Sequence, residues 1–587
     1  MTRTTAPLLA LLAALSACTS TMESRAPVTT APVPIRIISF NDFHGYLTPP
    51  KLAITLKTPS GDVKVPAGGA AYFASAVAKL KAGNPLNVTV SAGDMTGASP
   101  LASSLFLDEP TVMTMSMIGG DFNAVGNHEF DRGQDELLRL QNGGCAKFTT
   151  REPCQIEKGF PGASYKYLSA NTVKADGGTL FPPYAIKSFT QGATTIRIGF
   201  IGMTLKGTGA IVSAAGIQGI HFASEAETAN ALLPKLKAAG ADIVIVLIHE
   251  GGTVTAPHGD QSCAGLDGDI LPILDALDPS IELVISGHTH KDYICDYGKV
   301  KPGRNLLLTS AGQYGTLLTD IELLVDPVTK KILSKKADNL IVQGEGYEGA
   351  NGPVPLTDQT PTYPAEPRVA ALVDRYKAAS ATVTARIVGH VTGPISREEN
   401  DAGELALGNL IADAQLAAMK TIGAAQMAFM NRGGVRAELL PGPDGAVTYG
   451  TLYTIQPFGN ALVTKSYTGK QILDLLEEQF TRSAGDLRIL SPSANLRYSF
   501  DRTKPDGSRV SDVTLDGKPL NPTATYRVAI SNFLGDGGDG YTVLKTGTNP
   551  VNGPLDLEAL EAYFKAHPGP IAPPALDRIH RADKPAP

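Results

Sequence analysis

The chain has no long run of lysine and arginine, no apolar stretch of membrane-spanning length, and only five cysteines in 587 residues. The missing basic tract, with a formal net charge of −6, argues against a protein that coats a nucleic-acid polymer. An anionic small molecule would have to find positive charge locally, from metals or a few arginines. The apolar run near the N-terminus, Ala6 to Ala17, has twelve residues, too few to cross a bilayer. What is there is ordinary: 43% hydrophobic and 18% charged residues describe a globular protein. The length suits two or three large domains, and each half is long enough to bury a full core.

Arg3 followed by that apolar run suits the core of an exported protein's leader, and Leu15-Ser16-Ala17-Cys18 at its end resembles a bacterial lipobox. On this reading residues 1–18 are a lipoprotein leader. Cys18 is the lipidated residue that anchors the protein to a membrane, and the Thr-, Ser-, Pro- and Ala-rich stretch over 19–34 is a flexible tether. The expected location is periplasmic or at the outer membrane of a bacterium. An ordinary secretory leader that happens to contain Cys18 is the plainer alternative. Four cysteines remain, and an even count in an exported protein favours disulfides. The expected pairs are Cys145 with Cys154 and Cys263 with Cys295. Zinc is the other reading, although neither pair has the two-residue spacing of a zinc knuckle.

The first half alternates helices with apolar runs that read as buried strands, which implies an α/β sandwich with parallel strands. Ligands gather at the carboxyl ends of such strands. Val33 to Phe40 is followed by Asn41-Asp42-Phe43-His44-Gly45, and Asn87 to Ala92 by Gly93-Asp94. Phe122 to Val125 leads into Gly126-Asn127-His128-Glu129-Phe130-Asp131. Ala241 to Ile248 ends at His249, and Ile281 to Ser286 at Gly287-His288-Thr289-His290. Singly, Asp-x-His is mostly accidental and Gly-Asp is mostly a turn. Together they place five of the ten histidines, with carboxylates and an amide, at successive strand ends. That is the donor set of a two-metal site. The other five histidines (His221, His258, His390, His567 and His580) have no such setting and read as surface or structural.

This pattern resembles the calcineurin-like metallophosphoesterase superfamily, and the forms Asn-Asp-Phe-His-Gly and Gly-Asn-His-Glu-Phe-Asp resemble its 5′-nucleotidase branch. The resemblance implies a four-layer α/β/β/α metallophosphoesterase sandwich over 35–345, a linker and connecting helix over 346–385, and an α/β nucleotide-binding domain over 386–583. It implies two divalent cations, zinc, manganese or similar. Asp42, His44 and His290 would hold one, Asn127, His249 and His288 the other, and Asp94 would bridge them. His128 and Asp131 match the catalytic dyad, stabilising equatorial phosphoryl oxygens or protonating the leaving group.

From Gln343 to Pro367 the composition shifts to Gly, Pro, Thr and Glu, a domain boundary. Pro367 then opens a helix with Val369, Leu372, Val373 and Tyr376 on its apolar face. The second half has no metal-ligand cluster. It carries Leu407-Gly408-Asn409 through Asp413 on a helix, Asn431-Arg432-Gly433-Gly434-Val435-Arg436 after an apolar strand, and Pro457-Phe458-Gly459-Asn460. Asn532-Phe533-Leu534 runs into Gly535-Asp536-Gly537-Gly538-Asp539-Gly540. Taken alone, these are turns and core aromatics. The resemblance implies that Phe458 and Phe533 stack on the two faces of a base and that Asp539 accepts hydrogen bonds from the ligand. By the same match Asn431, Arg436 and Arg397 hold its phosphates. Arg432 and Leu405 depart from the residues the family commonly has there, Gly and Ser.

The expected activity is hydrolysis of nucleoside 5′-phosphates, with UDP-sugars as related substrates. A 2′,3′-cyclic nucleotide phosphodiesterase shares the metal domain, and a nucleotide-binding surface lipoprotein without catalysis is the reading from another class. A thiosulfate-ester hydrolase on the same scaffold is remote, because paired aromatics suit a base. The expected partners are a small nucleotide and a membrane, with no nucleic-acid polymer.

Overall fold

Ile243–Ile248 is apolar at every position because both of its faces are buried. Ile243, Ile245 and Leu247 point into a cluster shared with Ile35 and Ile37 of another sheet, while Val244, Val246 and Ile248 meet Leu232, Leu233 and Leu236 of a helix. The same alternation sends Ile35 and Ile37 inward and Ile38 and Phe40 outward against the helix residues Phe73 and Val77. Two sheets thus pack face to face with helices outside each, the four layers expected. The computed structural model describes residues 1–2, 31–212, 214–349, 352–480 and 488–584. Cys18, most of the leader and the tether up to residue 30 lie outside the described residues.

The first sheet has six strands in the order Ile332–Ile341, Leu317–Val325, Val33–Phe40, Asn87–Ser91, Phe122–Ala124 and Lys166–Leu168. The second runs Asp292–Asp296, Leu307–Ala311, Leu283–Ser286, Ile243–Ile248, Thr194–Met203 and Tyr184–Gln191. In the first sheet the four strands from Val33–Phe40 to Lys166–Leu168 pair in parallel and the other edge is antiparallel; in the second the four central strands are parallel and both edges antiparallel. The four ligand-bearing turns that follow the strands ending at Phe40, Ser91, Ala124 and Ile248 therefore emerge on one side, with the turn after Ser286.

Several expected boundaries shift for local reasons. The strand beginning at Val33 takes up the last residues of the span read as tether. Apolar spacing of Phe73, Val77 and Leu80 predicts a helix over Gly68 to Gly83, but it begins at Ala70, because Gly68 and Gly69 both sit at φ 101°, outside helical space. Residues Tyr165 to Val173 read from the sequence as one strand, but they form two, Lys166–Leu168 and Thr172–Lys174. Between them Asn171 turns its carboxamide to the backbone of Thr204, donating at 2.6 Å and accepting at 2.8 Å.

The connecting helix, Pro367–Thr384, starts where Glu366 accepts from the Val369 N–H at 2.7 Å and buries Val369, Leu372, Val373 and Tyr376. The second half builds a five-stranded sheet around Met427–Met430, Thr525–Ser531 and Ala461–Thr468, and a four-stranded sheet around Val510–Leu515 and Leu496–Phe500. The polar motif on the helix Ala406–Ile422 serves this fold. Asn409 donates to Glu404 at 2.7 Å, and Asp413 holds Arg578 of the closing segment at 2.7 and 2.9 Å. Among the described residues no helix is long and apolar enough to cross a membrane.

Candidate active site

Asp42, His44, Asp94, His288 and His290 all adopt positive φ, between 48° and 70°. Left-handed backbone is costly for residues with a Cβ and persists where the surroundings enforce it. It bends each chain sharply at the end of its strand and turns the side chains onto one centre. Two groups result, Asp42, His44 and His290, and Asp94, His249 and His288, each with ligand atoms within 4.8 Å of one another. Asn127 joins the second, its Oδ1 3.1 Å from His249 Nε2.

The donor atoms are oriented from behind. His44 donates from Nδ1 to the Gly97 carbonyl at 2.9 Å and His249 from Nδ1 to the Ala92 carbonyl at 2.8 Å, so their Nε2 lone pairs face the centre. Asp42 Oδ2 accepts from Asn41 Nδ2 at 2.7 Å and from the His288 N–H at 2.9 Å, whereas its buried Oδ1 makes no hydrogen bond and lies 3.3 Å from His290 Nε2 and 3.7 Å from His44 Nε2. Asp94 Oδ1 is taken by the His128 N–H at 2.9 Å. Its Oδ2 lies 2.9 Å from His249 Nε2 and 3.6 Å from His44 Nε2, so this one oxygen faces both groups. A buried orphan carboxylate oxygen, converging imidazole lone pairs and a shared oxygen fit two divalent cations.

The electrostatics agree. Burial opposes ionisation of Asp94, but His249, His128 and His44 hold its carboxyl below the ordinary range, and His290 does the same against burial for Asp42. Burial, followed by the charge of His249, pushes His288 down to about 3, and burial lowers His290 to about 4. Two carboxylates face the neutral imidazoles of His288 and His290, whereas Asp94, against burial, raises the His249 pKa to about 10, a proton that a bound cation would displace.

His128 donates from Nδ1 to Asp131 at 2.9 Å, and Asp131 Oδ2 also accepts from the Ala98 N–H at 3.0 Å. Burial works against a charged His128, yet Asp131 and then Asp94 hold its pKa above the ordinary imidazole range. Glu129, whose role the sequence motif leaves unassigned, clamps the two turns beneath. Its carboxylate accepts from the backbone N–H groups of Asp94 (2.9 Å), Met95 (2.8 Å) and Gly126 (2.7 Å). A Cβ on Gly126 would stand 2.1 Å from Asp94 Oδ1, so only glycine lets the turns approach.

The second domain faces this centre. Phe458 stacks on His128 with centroids 5.4 Å apart and planes at 13°, and the Arg436 guanidinium lies 5.8 Å from the Phe458 centroid. Arg436 is half-buried, and its Nε and Nη2 have no partner. Arg397 donates to the Arg436 carbonyl at 2.7 Å; burial and the charges of Arg436 and Arg432 lower its pKa. Arg432 pairs instead with Glu399 at 2.6 Å. Asn431 donates to Asp539 at 2.7 Å, and Asp539 sits at φ 53°. Phe533 lines a small cleft with Asn460, Asn532 and Gly538, closed from the first domain by Gly209, Ala210 and Val212. In this arrangement one face of Phe458 lies on His128 and the Arg436 guanidinium is beside its ring.

Two tyrosines that no sequence motif marks complete the first metal group's surroundings. Tyr46 and Tyr314 stack at 3.9 Å, and Tyr314 turns its edge to His44 (5.9 Å) and His290 (5.6 Å). Burial and the Tyr314 hydroxyl push the Tyr46 hydroxyl well up, against the pull of Arg436 and Arg397. Nothing in the sequence distinguishes these two from core tyrosines. Of the five histidines outside the motifs, His221, His390, His567 and His580 are exposed and His258 pairs with Asp292 at 2.6 Å. Cys145 is bonded to Cys154 and Cys263 to Cys295, with Cα atoms 5.7 and 5.1 Å apart.

Residues 35–292 match the family model described as calcineurin-like phosphoesterase, and residues 387–546 match that of the 5′-nucleotidase C-terminal domain. The chain is 32% identical over 560 residues to "Endonuclease YhcR" of Bacillus subtilis, covering 94% of this chain but only 42% of that protein's length. It is 29% identical to "Cell wall protein Lmo0130" of Listeria monocytogenes, over 91% of this chain and 67% of that protein. Among solved structures, a 5′-nucleotidase precursor from Thermus thermophilus superimposes with a TM-score of 0.72 at 25% identity, over 94% of this chain and all of that one. The chain belongs to the family that joins a calcineurin-like metallophosphoesterase domain to a 5′-nucleotidase C-terminal domain.

Proposed function

We propose that this family member is an exported, metal-dependent 5′-nucleotidase that hydrolyses nucleoside 5′-monophosphates to nucleoside and phosphate, with UDP-sugars, cleaved to UMP and a sugar phosphate, as a related class. The observation that carries the reading is Arg436. Its guanidinium is aimed past Phe458 at the His128 dyad, and its Nε and Nη2 lack partners. An arginine left with unmade hydrogen bonds is costly, and a phosphate oxyanion supplies what it lacks.

Asp42, His44 and His290 would hold one divalent cation, and Asn127, His249 and His288 the other, with Asp94 Oδ2 shared. Cations held there supply Lewis acidity toward the phosphoryl oxygens. Arg436 and Arg397 bind and orient the phosphate from the opposite domain. His128, with Nδ1 tied to Asp131, keeps Nε2 free to carry a proton toward the leaving oxygen. Phe458 shields the dyad from water; Phe533, Asp539 and Asn431 receive the nucleoside when the second domain shifts. Water is consumed, the P–O bond to the 5′ oxygen breaks, and that oxygen leaves protonated.

Export rests on the Leu15-Ser16-Ala17-Cys18 lipobox and two disulfides, with lipidated Cys18 as the membrane anchor. The cell-wall relative supports it. A second reading, cleavage of a phosphodiester such as a 2′,3′-cyclic nucleotide, draws on the endonuclease name of the Bacillus relative, over the part of that protein this chain spans. Product analysis separates the two, with manganese and with EDTA: free phosphate from 5′-AMP, UMP from UDP-glucose, and the ring-opened monoester from 2′,3′-cyclic AMP. Rapid EDTA-sensitive AMP cleavage supports the nucleotidase; turnover of the cyclic substrate alone replaces it with the diesterase.

A further inference from the structure

Gly252, in the turn that follows His249, is gripped through both of its backbone polar groups by the loop that carries His288 and His290. Its carbonyl accepts from the Thr289 hydroxyl at 2.7 Å, and its N–H donates to the Tyr293 hydroxyl at 3.1 Å. Thr289 stands between the two histidines, and Tyr293 lies just beyond the second. The turns approach this closely because Gly251 has no Cβ. One there would stand 2.2 Å from the Gly287 carbonyl oxygen and 2.7 Å from Thr289 Oγ1.

The Tyr293 hydroxyl reaches a third point. It lies 2.8 Å from Ser286 Oγ, which donates to the Thr309 carbonyl at 2.8 Å. A serine hydroxyl has a single proton, so the tyrosine supplies the one between them. The bonds then run in one direction, from the Gly252 N–H to Tyr293, to Ser286, to the Thr309 carbonyl. The tyrosine ring is 5% exposed and held in the apolar cluster of Val246, Ile248 and Val284. Ser286 ends the strand that leads to His288, and it pairs in parallel register with Ile248, which leads to His249. His249 and His288 serve one ligand group, whereas His290 serves the other. Both hydroxyl protons are spent on these bonds, and the bonds join the segments that carry three of the ligands.

We propose that Thr289 and Tyr293 are positioning residues whose hydroxyls set the spacing of the two cation groups. The inference rests on the two-cation reading of the site and is independent of the substrate. Manganese titration onto metal-free protein by calorimetry, with electron paramagnetic resonance of the loaded protein, tests it in Thr289→Val, Thr289→Ser and Tyr293→Phe. Valine and phenylalanine nearly keep the shape and remove the hydroxyl; serine restores it. The valine and phenylalanine variants are expected to bind at least one manganese about tenfold more weakly, and to lose the exchange-coupled two-manganese spectrum in favour of isolated ions. Thr289→Ser is expected to match wild type in both measurements. Affinities within about twofold of wild type and a coupled spectrum in both hydroxyl-free variants overturn the proposal. So does a lower thermal midpoint of the metal-free protein with manganese binding retained, which marks a packing role. A serine variant as weak as the valine one overturns it too, because the effect then belongs to shape. A wild type that binds fewer than two manganese ions overturns this proposal and the two-cation reading together. A wild type with a coupled pair that leaves AMP intact refutes the nucleotidase reading alone, and the three variants still decide the hydroxyls.

Discussion

At the scale of single residues, the site sets its own pH behaviour. Against burial, Asp131 and then Asp94 raise the His128 pKa above the ordinary imidazole range, which favours the imidazolium. If His128 is the acid, kcat is high on the acid side and falls as pH rises through that raised value. Asp131→Asn removes one raising partner, and we expect the alkaline limb of the kcat profile to move to lower pH. His128→Ala should lower kcat by about 10²- to 10⁴-fold with both metals retained, measured by kinetics and metal analysis on the same sample. Glu129 is a positioning group. Glu129→Ala strands four backbone N–H groups that it now accepts from, at about 1–3 kcal/mol each, and a drop in denaturation midpoint together with lost metal is expected. The ligands themselves were legible because metal chemistry is written in side-chain type at strand ends. Glu129, Tyr46 and Tyr314 were not, because a buried carboxylate clamp and a strained tyrosine leave no mark in a one-dimensional pattern.

At the scale of elements, apolar periodicity located the core strands, since burial on both faces demands unbroken runs such as Ile243–Ile248. It misplaced ends where glycine conformation or a side-chain-to-backbone bond decides, at Gly68–Gly69 and Asn171. The Cys145–Cys154 loop shows what pattern cannot reveal. Arg151 donates to the Ser104 carbonyl at 2.7 Å and reaches the Tyr453 hydroxyl of the second domain at 3.4 Å. Three residues past the loop, Glu157 pairs with Arg375 of the connecting helix at 2.6 Å. The loop and the segment that leaves it thus touch all three parts of the chain. Cys145→Ser with Cys154→Ser should cost about 2–3 kcal/mol by loop-closure entropy, read as a lower thermal midpoint. We also expect proteolysis to cut the loop sooner.

At the scale of the whole molecule, the site exists only where two domains meet. The placement of Phe458 on His128, and of Arg436 behind it, follows from docking through the connecting helix and not from any local motif. Which second-domain residues reach the metals was therefore beyond the sequence, although each was nameable. It also means that activity and stability pull apart at Arg436. Arg436→Met removes a guanidinium with unmade hydrogen bonds, so the thermal midpoint should hold or rise while substrate affinity is lost. The most direct test of the two-domain site is phosphate release from 5′-AMP by wild type and Arg436→Met, both loaded with manganese and checked for equal metal content, with an EDTA-treated control. The account predicts rapid release by wild type, none after EDTA, and a KM at least about tenfold higher in the variant. Equal kinetics in the two proteins, or release that survives EDTA, would contradict it.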